Sequence, residues 1–397
     1  MSRSKSSKAD FEKRGRTPFF VAQREKRYGP FSTACYTYRV TTTRRGSLIS
    51  LPLVAIAIAV LTSTLTVSTA GKLPARLTDG EFWTLIADLS EPNGTFRSDN
   101  LLSNETRFQF ILPELADLIK PGGAYMGVGP EQNFTYIAAV KPAIAFIVDI
   151  RRGNLDLHLM YKALFELSAD RADFVSRLFS RKRPAGLRPG SSAAQIFAAY
   201  QDVDASDDAY DRNLKDIQRL LASKHGFPLT GDDAKRIEDI YSAFFRFGPS
   251  IQYSSNEGLG STYQPTYVDL MLATDINGRP RGYLTSERAF AYVKDLETRN
   301  LVVPVVGNFA GPKALRAVGA YLKQRESTVA VFYLSNVEQY LRLQRAWNTF
   351  CANVAALPLD DESTFVRAGH GGRQARGTAM TAELGGMAAE VEGCGGR

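Results

Sequence analysis

The chain has 397 residues, 44% of them hydrophobic, which is enough for one large globular domain or two. Its net charge of +8 comes from the N-terminus, because residues 1–45 hold 12 basic and 3 acidic side chains while the rest hold 37 and 38. We therefore do not expect the folded part to bind nucleic acid. The three cysteines and three histidines are widely separated, so we expect neither a disulfide framework nor a metal site.

The N-terminal sequence predicts a basic, disordered arm over residues 1–45 and an uncharged apolar segment over residues 47–70. This segment is either an uncleaved signal anchor or a cleaved signal peptide. Arg44 and Arg45 precede it, and positive charge stays on the cytoplasmic side. The body, from about Lys72, is then held outside the cytoplasmic membrane. If the true start lies further along the chain, the body is cytoplasmic instead.

Before the first predicted strand, two helical patterns flank a polar run. Residues 77–89 have helical periodicity, and Thr78 is a plausible N-cap. Residues 96–106 form the polar run, and residues 107–119 form the next helix. Polar side chains just before the first strand of a cofactor-binding fold would line its pocket. The alternative is a capped loop that leads into the helix.

The most informative stretch follows, and it predicts a strand, a loop, a helix and a second strand. Gly127 and Gly129 stand where the first strand ends, and residues 132–140 are amphipathic. Residues 143–148 are apolar and end at Asp149, which lies 20 residues after Gly129. This order is typical of the first unit of a Rossmann-like fold, in which such an acid holds a ribose diol.

The glycine pattern indicates which kind of cofactor fits. Glycines let a ligand approach the backbone closely, and the free N–H groups of the next helix face it. Gln132 occupies the position of the third glycine of G-x-G-x-x-G, which weakens the case for a pyrophosphate. An adenosine-type cofactor without pyrophosphate, such as S-adenosylmethionine, is favoured. The alternative is a tight turn followed by a solvated acid.

The middle of the chain predicts a helical insertion over residues 193–247. Its acidic stretch, residues 202–211, resembles a calcium loop but has Asp207 where glycine is needed and Asn213 where glutamate is needed. We interpret this stretch as a loop and a helix start, and we expect no metal there.

The later sequence alternates buried strands, at residues 301–308 and 329–334, with helices, which predicts a mostly parallel sheet. Ligands bind at the carboxyl ends of such strands. Polar residues at these ends are candidate catalytic residues: Asn308, Ser335 and Asn336. The tail, residues 367–397, is rich in glycine and alanine, and we expect disorder there.

The segments Tyr-Met-Gly-Val-Gly at 125–129 and Asp149 resemble those of class I S-adenosylmethionine-dependent methyltransferases. Residues 77–366 also resemble a bacterial family without a settled activity, through Phe-Arg-Ser-Asp-Asn at 96–100, Val-Gly-Pro-Glu-Gln-Asn-Phe-Thr-Tyr at 128–136 and Val-Asp-Ile-Arg-Arg-Gly-Asn at 148–154. The resemblance implies an α/β, Rossmann-like domain over residues 72–366. Its mostly parallel sheet would have helices on both faces and the helical insertion.

The resemblance also implies roles for individual residues. Asp149 would hold the ribose, and the backbone from Gly127 through Gly129 would face the methionine part of the cofactor. Glu131 or Asn133 would contact that part. Methyl transfer depends mainly on proximity and alignment, so Asn308, Ser335 or Asn336 would orient the acceptor.

A second hypothesis is a non-catalytic envelope protein that binds a small ligand on the same scaffold. Arg151 and Arg152 suit a carboxylate or phosphate ligand, and Arg151 is also a candidate cofactor contact. A serine hydrolase is disfavoured because G-x-S-x-G is absent and the histidines are predicted to lie away from the strand ends. The sequence makes no prediction of the oligomeric state.

Overall fold

The computed structural model describes residues 72–253, 264–370 and 380–392. The predicted basic arm and the apolar segment 47–70 lie outside these residues. Among the helices of the described ranges, none is both long enough and apolar enough to cross a lipid bilayer.

One six-stranded sheet organises the described residues, in the spatial order β3-β2-β1-β4-β5-β6. Neighbouring strands are parallel from β3 through β5, and β6 is antiparallel to β5. The predicted α/β class with a mostly parallel sheet is therefore confirmed. The strands are β1 Ala124–Gly127, β2 Ile144–Asp149, β3 Val302–Val306, β4 Val329–Ser335, β5 Thr364–His370 and β6 Met380–Gly386.

The strand sequences explain their places in the sheet. All residues of β1 and β2 are buried, as expected for strands covered on both faces, and their sequences are correspondingly apolar. Strand β3 contains Pro304, which pairs in register with Ile147 of β2. Proline has no backbone N–H to donate to a neighbouring strand, so it is tolerated in an edge strand, and β3 is an edge strand of this sheet.

Helices connect and cover the strands. They are α1 Asp79–Leu89, α2 Leu112–Leu118, α3 Gln132–Val140, α4 Arg152–Leu167, α5 Arg171–Leu178, α6 Ala193–Tyr200, α7 Asp207–Gln218, α8 Gly231–Phe247, α9 Tyr267–Leu272, α10 Glu287–Thr298, α11 Ala314–Lys323, α12 Val337–Leu343, α13 Trp347–Ala355 and α14 Met387–Glu392. Short 3₁₀ helices cover Phe108–Ile111 and Gly248–Ser250. The predicted N-cap Thr78 is confirmed, since its side chain accepts from the Glu81 amide in a capping box.

The predicted insertion at 193–247 is helical, as expected, and consists of α6, α7, a π-helical turn at Arg219–Lys224 and α8. Two ion pairs join α8 to α4. Arg152 Nε lies 3.0 Å from Asp233 Oδ1, and Arg236 Nε lies 2.6 Å from Asp156 Oδ2. The insertion is thus fixed to the helix that follows β2.

One sequence prediction is wrong at the C-terminal side. The expected disordered tail, residues 367–397, contains the end of β5, all of β6 and α14. Strand β6 pairs with β5 from Thr364↔Gly386 to His370↔Met380. This pairing is a tertiary contact that the local sequence of the tail does not reveal.

Candidate functional site

A cleft of about 1020 Å³ opens at the carboxyl ends of the strands. The strand order reverses between β1 and β4, which is the point where ligands bind in open parallel sheets. Its walls come from residues within the segments 95–105, 128–130, 148–151, 307–309 and 333–344, and from Phe247, Ser250, Gln252, Tyr253 and Gln264. The polar run predicted to line the pocket, residues 96–106, contributes to this wall.

The two glycines at the end of β1 have different surroundings. Gly129 lines the cleft with φ of +78°, and a Cβ added to it would have no atom within 4 Å. Gly127 is enclosed, because a Cβ there would lie 2.0 Å from Asn133 Oδ1 and 2.7 Å from the Tyr125 hydroxyl. A ligand can therefore approach the backbone at Gly129, whereas two protein side chains pack against the backbone at Gly127.

Asn133 holds the loop after β1 and is not available to a ligand. Its Oδ1 accepts from the Tyr125 hydroxyl at 2.8 Å. Its Nδ2 donates to the carbonyls of Val128, Gly129 and Pro130 at 3.0, 3.2 and 2.7 Å. These bonds direct the side chain under the loop rather than into the cleft, which does not support the predicted contact between Asn133 and a cofactor.

Glu131 is also placed away from the cleft. Its side chain is fully buried, neither carboxylate oxygen has a hydrogen bond of good geometry, and burial raises its pKa to about 8. A carboxyl group in this state is neutral at pH 7 and does not offer a charge to a ligand. The predicted role of Glu131 as a cofactor contact is therefore not supported by its position.

His158 lies beneath the loop that follows β1 and is not among the residues that line the cleft. Its Nε2 lies 2.9 Å from the carbonyl oxygen of Gly129, so this nitrogen carries the proton and donates it. The ring is buried against Phe134, and burial lowers the pKa of His158 to about 4. His158 supports the loop from beneath as a neutral imidazole, without lining the cleft.

Asp149 is in the predicted place, at the end of β2 and in the wall of the cleft. Arg151 occupies much of its carboxylate. Asp149 Oδ1 accepts from the Arg151 amide at 2.9 Å and from Arg151 Nε at 3.0 Å, and Oδ2 accepts from Nη2 at 2.8 Å. Arg151 Nη1 also donates to the carbonyls of Ser98 and Asp99. The pair joins β2 to the polar run.

The three candidate acceptor-side residues all line the cleft. Asn308 lies after β3, where its Oδ1 accepts from the Ala310 amide at 2.9 Å. Ser335 and Asn336 lie where β4 meets α12. Asn308, Ser335 and Asn336 line the same cleft as Gly129 and Asp149, whereas Gly127, expected on the same rim, does not line it.

Glu105 is the site residue that sequence reasoning did not single out. Its side chain lines the cleft, and its Oε1 accepts from the hydroxyls of Tyr333, at 2.8 Å, and Ser335. Its Oε2 accepts from Gln132 Nε2 at 3.0 Å. Burial raises the pKa of Glu105 although these three hydrogen bonds oppose the rise. The only sequence signal was its place in the polar run.

Comparison with known proteins identifies the family. Residues 101–383 match the family described as Domain of unknown function (DUF7790). The chain belongs to this family. Its match begins within the polar run, four residues before Glu105, and includes every strand of the sheet except the last residues of β6. No curated protein matches the chain.

Proposed function

We propose that the cleft binds S-adenosylmethionine or a related nucleoside ligand, and that the chain is a methyltransferase-like enzyme on a Rossmann-like, doubly wound sheet. The observation that carries this proposal is the position of Gly129 and Asp149. They stand on neighbouring parallel strand ends in the wall of one cleft, beside the reversal of strand order.

The residues of the cleft fit such a ligand in size and in polarity. A volume of about 1020 Å³ is at the upper end of the usual range for a small-molecule site. Gly129 has positive φ and open space where a side chain would be, so the ligand can approach its backbone. The cofactor would supply an activated methyl group, and the protein would bind and align it with an acceptor.

Asp149 retains room for a ribose hydroxyl beside Arg151. A carboxylate has about four acceptor sites, and Arg151 uses two on Oδ1 and one on Oδ2. One site on Oδ2 remains. The arginine would also fix the direction of the carboxylate, which favours recognition of a hydroxyl donor.

Calorimetry on the full chain tests this proposal. We expect micromolar binding of S-adenosylmethionine and of S-adenosylhomocysteine, since the two share the ribose, and about a tenfold or larger loss of affinity for both in Asp149→Ala. Asp117→Ala is the matched control, because Asp117 is exposed on α2 away from the cleft. A folded wild-type protein that binds neither ligand would refute the methyltransferase proposal.

A second candidate is a non-catalytic envelope protein that binds a small ligand in the same cleft. The uncharged segment 47–70 behind Arg44 and Arg45 favours it, because such a segment would hold the body outside the cytoplasmic membrane, whereas S-adenosylmethionine is a cytoplasmic cofactor. Under this alternative the Asp149–Arg151 pair is a structural link between β2 and the polar run. Failure to bind either nucleoside, together with export of the body, would favour this candidate.

A further inference from the structure

The floor of the cleft holds a buried carboxylate that no cation neutralises. Glu105 is 2% exposed, and its recorded partners are two hydroxyls and one amide. Within the described residues, none of the ion pairs includes Glu105. Asp149, which also lines the cleft, differs in this respect because Arg151 pairs with it. A buried negative charge without a cation is costly, so a positively charged ligand group would be strongly favoured there.

The backbone that brings Ser335 to this carboxylate is irregular. The pairing of β4 with β5 shifts register between Tyr333 and Ser335, and Ser335 has φ of +50°. Serine rarely adopts a left-handed conformation, and bulges often re-aim side chains beside functional sites. The irregularity places the Ser335 hydroxyl on Glu105 Oε1. The irregular end of β4 therefore makes the contact with the Glu105 carboxylate, which favours a binding subsite at this position.

Aromatic side chains also line this cleft. Tyr333 contacts Glu105 directly through its hydroxyl, and Phe309 after β3 and Tyr340 in α12 line the same cleft. Aromatic faces attract organic cations. A cleft that holds a buried carboxylate together with aromatic rings therefore suits a ligand that carries an organic cation.

We propose that Glu105, held by Ser335 and Tyr333, is the counter-charge for a cationic group of the ligand, and that this group is the sulfonium of S-adenosylmethionine. The identification of the sulfonium rests on the proposed function. The cleft would then distinguish the cofactor from its demethylated product, which has a neutral thioether at the same place. Glu105 acts here as a binding residue, and no proton transfer is assigned to it.

The subsite has a consequence for the pH dependence of binding. The titratable groups that face Glu105 are the tyrosines Tyr125 of β1, Tyr136 of α3 and Tyr333 of β4, which are neutral near pH 7. Only ionised Glu105 attracts the sulfonium. Affinity for S-adenosylmethionine should therefore weaken as the pH falls through the raised pKa of Glu105. Affinity for S-adenosylhomocysteine should not show this weakening.

The test compares the two ligands on the full chain by calorimetry, in the wild type and in Glu105→Gln. The amide keeps the shape of the side chain, and Gln132 can turn its unpartnered Oε1 toward the new donor. We expect Glu105→Gln to weaken S-adenosylmethionine about tenfold and S-adenosylhomocysteine less than about twofold. Glu114→Gln is the control, since Glu114 is an exposed acid on α2.

Each outcome is decisive. If both ligands bind and Glu105→Gln leaves their affinity ratio unchanged, the cation subsite is wrong while the proposed function stands. If neither ligand binds to folded wild-type protein, the proposed function fails and the sulfonium assignment fails with it. Should Glu105→Gln not fold, the pH series on the wild type replaces it. A ratio of affinities that does not change with pH would then overturn the subsite.

Discussion

Gly127 and Gly129 lie two residues apart at the end of β1, yet the structure requires glycine at each for a different reason. At Gly127 the constraint is space, because Asn133 and Tyr125 fill the position of a side chain. At Gly129 the constraint is conformation, because its φ is +78° and the surrounding space is open. The glycine motif therefore combines a packing position and a ligand-facing position.

We predict that Gly127→Ala destabilises the protein more than Gly129→Ala. A methyl group at Gly127 displaces Asn133, which then loses its bonds to the loop carbonyls, and overpacking with lost buried hydrogen bonds costs about 3 kcal/mol. Gly129→Ala bears only the left-handed backbone cost of about 1 kcal/mol. Urea unfolding monitored by circular dichroism measures both. Equal losses would mean that Asn133 moves aside freely.

Sequence reasoning located some site residues and missed another for a physical reason. Gly129 and Asp149 were predictable because one local strand–helix–strand unit fixes both, 20 residues apart. Glu105 was not, since its partners Tyr333 and Ser335 lie 228 and 230 residues along the chain. For Asn133, residue spacing could not indicate that the side chain turns under the loop rather than into the cleft.

At the scale of elements, a buried histidine joins α1, α4 and the helical insertion. His225, just after the π-helical turn, contacts Asp79 of α1 through Nδ1 at 2.9 Å and Glu166 of α4 through Nε2 at 3.0 Å. Phe227 stacks on its ring at 5.0 Å between centroids. Burial alone would lower the pKa of His225, but the hydrogen bonds to Glu166 and Asp79 outweigh it and raise the pKa.

These shifts define the pH at which the contact is strongest. The pKa of His225 is raised in the folded protein, so the stability that its charged form contributes is complete below the pKa of about 6.5 in the unfolded chain. This stability is lost as the pH rises through the pKa in the folded protein. For Asp79 and Glu166, burial raises the pKa values, but hydrogen bonding outweighs burial and leaves both pKa values lowered. The stability that these two carboxylates contribute is therefore lost in acid. The contact is therefore strongest between about pH 5 and 6.5.

We predict that His225→Gln lowers the free energy of unfolding by about 2 kcal/mol near pH 6, and by clearly less near pH 9. Urea unfolding at a series of pH values measures the difference. Lys224→Gln is the control. Lys224 is largely exposed and its ion pair with Glu166 is long, at 3.9 Å, so its removal should have little effect at either pH. A His225→Gln deficit that stays constant with pH would show that the histidine is neutral throughout.

Helices and strands could be predicted where their own sequences carry a clear pattern. Helix α1 and the insertion have strong helical periodicity and were predicted close to their observed bounds. Strand β6 has the sequence Met-Thr-Ala-Glu-Leu-Gly-Gly, which has weak strand character by itself. It forms a strand because the exposed edge of β5 is available for antiparallel pairing, which a local reading of the tail cannot reveal.

At the scale of the whole molecule, the side of the membrane on which the body lies decides between the two candidate functions. The segment 47–70 carries no charge and follows Arg44 and Arg45, so the sequence favours membrane targeting with the body outside. The proposed ligand, by contrast, is a cofactor that is made in the cytoplasm.

We predict that the full chain sediments with membranes, or is exported, and that a chain beginning at Lys72 does neither. Fractionation with a carbonate wash separates anchoring from surface adsorption, because an inserted segment resists the wash. Protease added to intact cells with a permeable outer layer should digest the body if it lies outside. Protection of a membrane-bound body would place the cleft in the cytoplasm, which would favour the methyltransferase-like enzyme. Digestion would favour an envelope ligand-binding protein, because an external cleft has no supply of S-adenosylmethionine.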